Sequence, residues 1–258
     1  MDSTDQLRDF YEKNYARSTA VTAVPLDDNF MYAQVLGQVR PYLRPGLKVL
    51  DLGCNDGNLS LYMARAGCEV LGIDLARNAV DTARRSAQAH GIANARFEAL
   101  DFLQDWREAQ AFDFVLCSHV IEHVPQDGEF VQKIFSALKP GGRLVLLTPS
   151  QYSSLARASR FFTGRFRHDE DVGHLRRYTR ASCEATVRGA GFEIDKCVFL
   201  DGMLRDWFIL CRPLRVFNRI WSLPIIRTVF NAADRMSARF LFPAAICIHA
   251  RRPGDPHA

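Results

Sequence analysis

The 258-residue chain is 48% hydrophobic and 24% charged, a balance that suits one large globular core and excludes a disordered or fibrous chain. No apolar run reaches the roughly 18 residues of a membrane span, and the polar start MDSTDQLRDF does not read as a signal peptide. The net charge of +4 hides an asymmetry: residues 1–150 hold 15 Lys and Arg against 19 Asp and Glu, whereas residues 151–258 hold 18 against 10.

That basic second half suits an anionic partner, or is simply a surface of solvated arginines. Seven cysteines occur without a Cys-x-x-Cys pair, which points to reduced, buried thiols in a cytoplasmic protein rather than a disulfide frame or zinc site. His90, His249 and His257 read as surface or tail residues, and His168 is undecided.

In chain order, residues 5–18 predict a helix carrying Phe10, Tyr11 and Tyr15, and residues 29–42 a second helix that stops before Arg44-Pro45-Gly46. The apolar run from Lys48 to Leu52 predicts a buried parallel strand. It breaks at Gly53-Cys54-Asn55-Asp56-Gly57 and leads into a helix that ends near Gly67. A second strand over 69–74 closes on Asp74, a third over 96–100 on Asp101, and a fourth over 112–118 on Ser118. Residues 131–138 predict a helix, 143–148 a fifth strand, 192–199 a sixth and 244–250 a seventh. Residues 150–178 read as an irregular insert, and Thr179 as the cap of the next helix.

A strand, a tight glycine turn and a helix build a nucleotide-sized crevice beyond the strand ends of an open α/β sheet. A dinucleotide fingerprint from Gly53 demands glycine at 55 and 58, where both residues are asparagine, and a P-loop demands Gly-Lys-Ser/Thr at 57–59. What remains is Asp51-x-Gly53-x-Asn55-x-Gly57, followed 21 residues beyond Gly53 by Asp74. This resembles the first motif of the Rossmann-like S-adenosylmethionine-dependent methyltransferases, with Asn55 in place of the middle glycine. Asparagine tolerates left-handed backbone angles, so the turn survives the swap.

The resemblance covers residues 45–200 and implies a doubly wound, seven-stranded, mostly parallel α/β sheet with the last strand reversed. It implies S-adenosylmethionine as cofactor, held by Asp51, Gly53, Cys54, Asn55, Gly57, Asp74, Leu75, Asp101, Phe102 and Ser118, with Tyr11 or Tyr15 on a covering helix. Asp74 is expected on the ribose hydroxyls and Asp101 on the adenine amino group; each has a rival reading as the cap of the helix or turn that follows it. The implied layout is covering helices over 1–45, the cofactor core over 46–200, a helical insert over 201–243 and the last strand with its tail over 244–258.

His119, Glu122 and His123 follow the fourth strand, and His174 stands in the insert. Three readings stay open. A histidine base drawn from His119, His123 and His174 would deprotonate an acceptor hydroxyl. A divalent cation held by His119, Glu122 and His123, with His174 as a further ligand, would acidify it; ubiquinone-pathway and small-RNA terminal 2′-O-methyltransferases carry Glu-x-x-Glu-His at this place and use it for a cation. In the third, the pair only shapes the substrate wall. The motif layout is nearest to the ubiquinone-pathway O-methyltransferases, which implies a small or lipid-like hydroxylated acceptor. Alternatives are a cofactor-binding module without transfer and an RNA methyltransferase; nothing points to DNA.

Residues 203–241 are rich in aromatics, with Arg212, Arg215 and Arg219 at spacings of three and four on one helical face. The same pattern suits a helix packed on the domain, a homodimer contact or peripheral contact with a membrane.

Overall fold

The computed structural model describes residues 4–15, 21, 22, 24, 32–205 and 224–254. Within them the chain forms α1 (Thr4–Tyr15), α2 (Ala33–Val39), a 3₁₀ turn (Arg40–Tyr42), β1 (Lys48–Leu52), α3 (Asn58–Arg65), β2 (Glu69–Asp74), α4 (Arg77–Ala89) and β3 (Ala95–Ala99). There follow the short α5 (Phe102–Asp105), β4 (Phe112–Ser118), a 3₁₀ turn (Ile121–His123), α6 (Asp127–Ala137), β5 (Leu138–Pro149), α7 (Ser154–Thr163) and α8 (Arg167–Val172). The chain closes with α9 (Arg180–Gly189), β6 (Glu193–Leu200), α10 (Pro224–Phe240) and β7 (Ala245–Arg251).

Seven strands make one sheet in the order β3-β2-β1-β4-β5-β7-β6. The first five are parallel, while β7 runs antiparallel to both β5 and β6. This is the doubly wound sheet with a reversed last strand that the resemblance implies. After β1 the chain winds outward to β3 and then returns to β4 on the other side. That reversal opens a crevice beyond the carboxyl ends of β1 and β4.

The central strands are buried on both faces because alternate residues point to opposite sides. Leu50, Leu52, Val115, Cys117, Leu144 and Leu146 pack toward α6 and α9, and Val49, Val70, Phe114, Leu116, Val145 and Leu147 form the other layer. Among the described cysteines five are buried and Cys197 is partly so, all as free thiols.

Several elements differ from expectation. Residues 150–178 are not irregular: Ser153 caps α7 by accepting the Ala156 N–H, and Gly164, at φ 73°, ends it. The fifth strand begins at Leu138, because Leu138 pairs with Phe112 before the register shifts. His249 is no tail residue. It is 1% exposed on β7, between the Tyr42 hydroxyl (2.9 Å) and the Gln38 side-chain oxygen (2.9 Å), and burial pushes its pKa down to about 4. The arginine face at 212, 215 and 219, and His257, lie outside the described residues.

Candidate active site

A cavity of about 610 Å³ lies at the switch point, a size suited to a small-molecule ligand. Each strand contributes the residues at its carboxyl end. Leu52, Gly53 and Asn55 follow β1; Ile73, Asp74 and Leu75 end β2; Leu100, Asp101 and Phe102 follow β3; Ser118, His119 and Val120 close β4. Tyr11 lines it from α1, and Asp171 and Val172 from α8.

The glycine turn is held by the strand beside it. The Ile73 carbonyl accepts the N–H groups of Gly53 and Cys54 at 2.8 and 3.0 Å. Gly53 has φ 70°, and a Cβ there would overlap Cγ2 of Val120, so both backbone angle and space require glycine. Asn55 adopts φ 51°, the left-handed angle expected of it. Asp74 joins the turn to α4: one carboxylate oxygen accepts the Asn55 N–H and the other the Ala76 N–H, both at 2.9 Å. Asp74 therefore braces the turn and the residue before α4 while lining the cavity. Burial raises its pKa despite these bonds.

Asp101 lines the cavity and caps α5, its Oδ1 accepting the N–H groups of Leu103 (2.8 Å) and Gln104 (3.2 Å). Asp51, Cys54 and Gly57 are not among the lining residues. Asp51 is 2% exposed behind the turn, where Ser60 donates to it at 2.5 Å. Burial, only partly offset by that bond, raises its carboxyl to about 7. Gly57, at φ 87°, starts α3, and Cys54 packs with Leu61, Val80 and Phe97.

From α1, Tyr11 reaches the cavity. Tyr11 meets the His123 ring edge-on at 5.6 Å between centroids. The adjacent Glu12 places its carboxylate on the first N–H groups of α4, at 2.7 Å from Arg77 N and 3.4 Å from Asn78 N, where the helix dipole favours negative charge. The side chain of Tyr15 lies outside the described residues.

The opposite wall is built on the turn after β4. His119 sits at φ 57°, an uncommon angle for a non-glycine residue, with its Nδ1 3.3 Å from Glu122 Oε1. Glu122 is fully buried, and Thr148 donates to its other oxygen at 3.2 Å. The insert reaches this turn from fifty residues away: Leu175 N–H donates to the Glu122 carbonyl at 2.9 Å, and the Gly173 carbonyl accepts from His123 Nδ1 at 3.0 Å.

His174 does not line the cavity, but its ring stands 4.9 Å from that of His123. Its Nδ1 donates to Asp169 at 2.8 Å, and its Nε2 lies 3.9 Å from Glu122 Oε1. Arg177 and Arg160 grip the same aspartate at 2.8 and 3.0 Å. Although burial works the other way, His174 and Arg177 hold the Asp169 carboxyl well below its usual range. Sequence reading missed this buttress; the run His168-Asp169-Glu170-Asp171 gives no local sign of it.

These contacts set the protonation states. Desolvation works against charge on both His119 and Glu122, yet each favours the other's ion: the histidine pKa is raised and the glutamate's lowered. His123 goes the other way, because burial lowers its pKa despite the nearby Glu122. Since a carbonyl only accepts, the Nδ1 proton of His123 is spent on Gly173, which leaves Nε2 with a lone pair. One turn thus favours charge on His119 and disfavours it on His123.

A family model described as methyltransferase domain matches residues 29–196, well over half the chain. The chain belongs to this methyltransferase domain family. S-adenosylmethionine is the cofactor that the family implies, and the cavity fits it: two strand-end carboxylates, a glycine turn and an apolar wall at Leu75, Leu100, Phe102 and Leu103. Over 107 residues the chain is 37% identical to the mitochondrial ubiquinone biosynthesis O-methyltransferase of Schizosaccharomyces pombe, covering 41% of this chain and 39% of that protein. It is 40% identical over 104 residues to the ubiquinone biosynthesis O-methyltransferase of Xanthomonas axonopodis pv. citri, covering 40% and 43%. The chain thus spans about two fifths of the length of these relatives.

Solved structures share the fold at lower identity. One is an S-adenosylmethionine-dependent methyltransferase from Archaeoglobus fulgidus (TM-score 0.59, 20% identity, 93% of this methyltransferase-domain chain and 97% of that one). Another is the [4+2]-cyclase SpnF (TM-score 0.67, 17% identity, 98% of both chains). A cyclase on this fold shows that architecture alone does not fix the reaction.

Proposed function

We propose that the protein moves a methyl group from S-adenosylmethionine to a hydroxyl oxygen of a small amphipathic acceptor, with His123 as general base. The observation that carries this reading is the split between the two histidines of one turn: His119 is tied to Glu122, while His123 keeps a depressed pKa and a free lone pair beside the cavity. When bound, S-adenosylmethionine supplies a methyl carbon activated by its sulfonium. The chain's share is to hold the acceptor oxygen in line with that carbon, take its proton on His123 Nε2 and keep water out with Tyr11 on α1. The apolar residues Val120, Val124, Pro125, Phe130 and Val172 around the histidines suit an acceptor that is mostly hydrocarbon or aromatic, and the partial likeness to ubiquinone-pathway enzymes supports oxygen as the atom modified.

A second reading rests on a separate observation. Glu122, His123 and His174 each offer a ligand atom, all within 4.8 Å of one another, and buried Glu122 Oε1 makes no aligned hydrogen bond among the described residues. One carboxylate and two imidazoles fit a divalent cation, which would acidify a bound hydroxyl; Asp169 would then orient His174.

The test is formation of S-adenosylhomocysteine from labelled donor with hydroxylated lipid and phenolic extracts, with and without chelator. His123→Asn is expected to lower transfer by about 10²–10⁴-fold with cofactor affinity unchanged. Retained transfer in that variant would remove the base assignment, and loss on chelation with recovery on adding a cation would replace it by the metal reading. Tight cofactor binding without transfer to any acceptor would leave only a binding module.

A further inference from the structure

The last helix before β7 is built inside out. Its inward face is polar and clamped: Asp234, fully buried, accepts the N–H groups of Gly202 and Arg205 at 2.9 and 2.8 Å. Ser237 accepts the Met203 N–H at 2.7 Å, and the buried Arg205 guanidinium reaches Asn231 at 2.6 Å. With Phe230 and Ala238 these residues fix α10 against the end of β6. A chain bound this way cannot roll to hide its other side.

That other side is apolar. Ile225, Val229, Met236 and Phe240 stand four, seven and four residues apart, and with Leu241 they are between 60% and 80% exposed. At 1.5 Å per residue the stripe runs about 22 Å. Along its flank Arg235 and Arg239 are exposed, and the single acid of α10 is the buried Asp234. Beside its end, Arg157 of α7 lies over the Phe242 ring, and α7 adds the bare rings of Phe161 and Phe162, again with arginines and no acid.

We propose that the outward face of α10 is a docking surface for an anionic lipid bilayer, lying in the headgroup plane with the four apolar side chains inserted and the arginines on lipid phosphates. An apolar stripe edged only by arginine is the composition of an interfacial helix. A second copy of the chain is the poorer occupant, because a two-fold contact through α10 would set arginine rim against arginine rim with no exposed acid on either helix to pair it. No helix among the described residues is long and apolar enough to cross a membrane, so the contact is a surface one. Past the end of α10, α7 holds Phe242 through Arg157, and Arg160 of the same helix grips Asp169 of α8, which lines the cavity with Asp171 and Val172.

The full chain is to be sedimented with phosphatidylcholine vesicles, with and without phosphatidylglycerol, across a salt series, beside light scattering of the free protein. Uptake is expected on the anionic vesicles, weakening with salt. Met236→Glu with Phe240→Glu should cut it about tenfold or more, and Arg235→Gln with Arg239→Gln should flatten its salt dependence. All four positions are exposed, so melting temperature and cofactor affinity serve as folding controls and should not move. No uptake, equal uptake by uncharged vesicles, or uptake that survives the glutamate pair would each overturn the proposal. So would a concentration-dependent dimer that the glutamate pair breaks while vesicles are ignored. Uptake is read without turnover, so its failure and the failure of the transfer reading are separate results.

Discussion

The two walls of the cavity are made in different ways. The cofactor wall takes its residues from the ends of neighbouring strands, and each is held from the adjacent strand end or nearer, within 20 residues: Gly53 by Ile73, Asn55 by Asp74, Asp74 by Ala76. The wall at the histidines is assembled across fifty residues, with His123 on the Gly173 carbonyl and Glu122 on Leu175. The first is a local consequence of a strand stopping at a glycine. The second exists only once the insert has folded back, so changes to it should leave cofactor binding alone.

The largest effect expected falls behind the cofactor wall. Asp51 has its carboxyl raised from the ordinary 3.8 to about 7 by burial, so between those values the folded state holds a proton that the unfolded state releases. The contribution of Asp51 to stability is then full below about pH 4 and falls as pH rises toward 7, by about 1.4 kcal/mol per pH unit and roughly 4 kcal/mol over the three units. Asp51→Asn, measured by denaturant midpoint against pH, should flatten that slope. A matching loss of cofactor affinity would contradict its place behind the turn. Next, Gly53→Ala should cost about 3 kcal/mol, from the left-handed angle and the overlap with Val120, and adding Val120→Ala should return the overlap part alone.

Asp74→Ala should weaken cofactor binding about a hundredfold by calorimetry. If the carboxylate serves only as a clamp for the turn, Asp74→Asn would restore most of it. The smallest effect is assigned to the far wall: Asp169→Asn should lower transfer about tenfold while leaving cofactor affinity within error. An equal loss in both would mean that the two walls are not independent. The acid limb of the transfer rate should also lie below pH 6.5, because burial depresses His123 and a general base works only while unprotonated.

How far each wall could be read in advance follows from the same contrast. The strands of the sheet, the turn angle of Asn55 and the carboxylates at 74 and 101 were legible because burial periodicity and strand-end chemistry are written within a few residues. The bracing of the glycine turn by Asp74 was not, since a backbone contact and a ligand contact ask for the same residue type. His249 was misread because polarity predicts exposure only when no partner waits inside, and here Tyr42 and Gln38 do. The helices of the insert had signals in Ser153 and Gly164, hidden by an arginine-rich composition that looks like loop. The inverted helix α10 was out of reach, because periodicity marks an apolar face without saying whether that face turns inward.

Glu12 ties α1 to the first N–H groups of α4, beside the Ala76 N–H that Asp74 holds. If donor and spent product pass beneath α1, their comings and goings require one carboxylate to let go of a helix terminus. Such a catch is weakened by ions in solution. Release of the demethylated product should therefore quicken with ionic strength, and the rhythm of turnover would be set at a hinge remote from the bond being made.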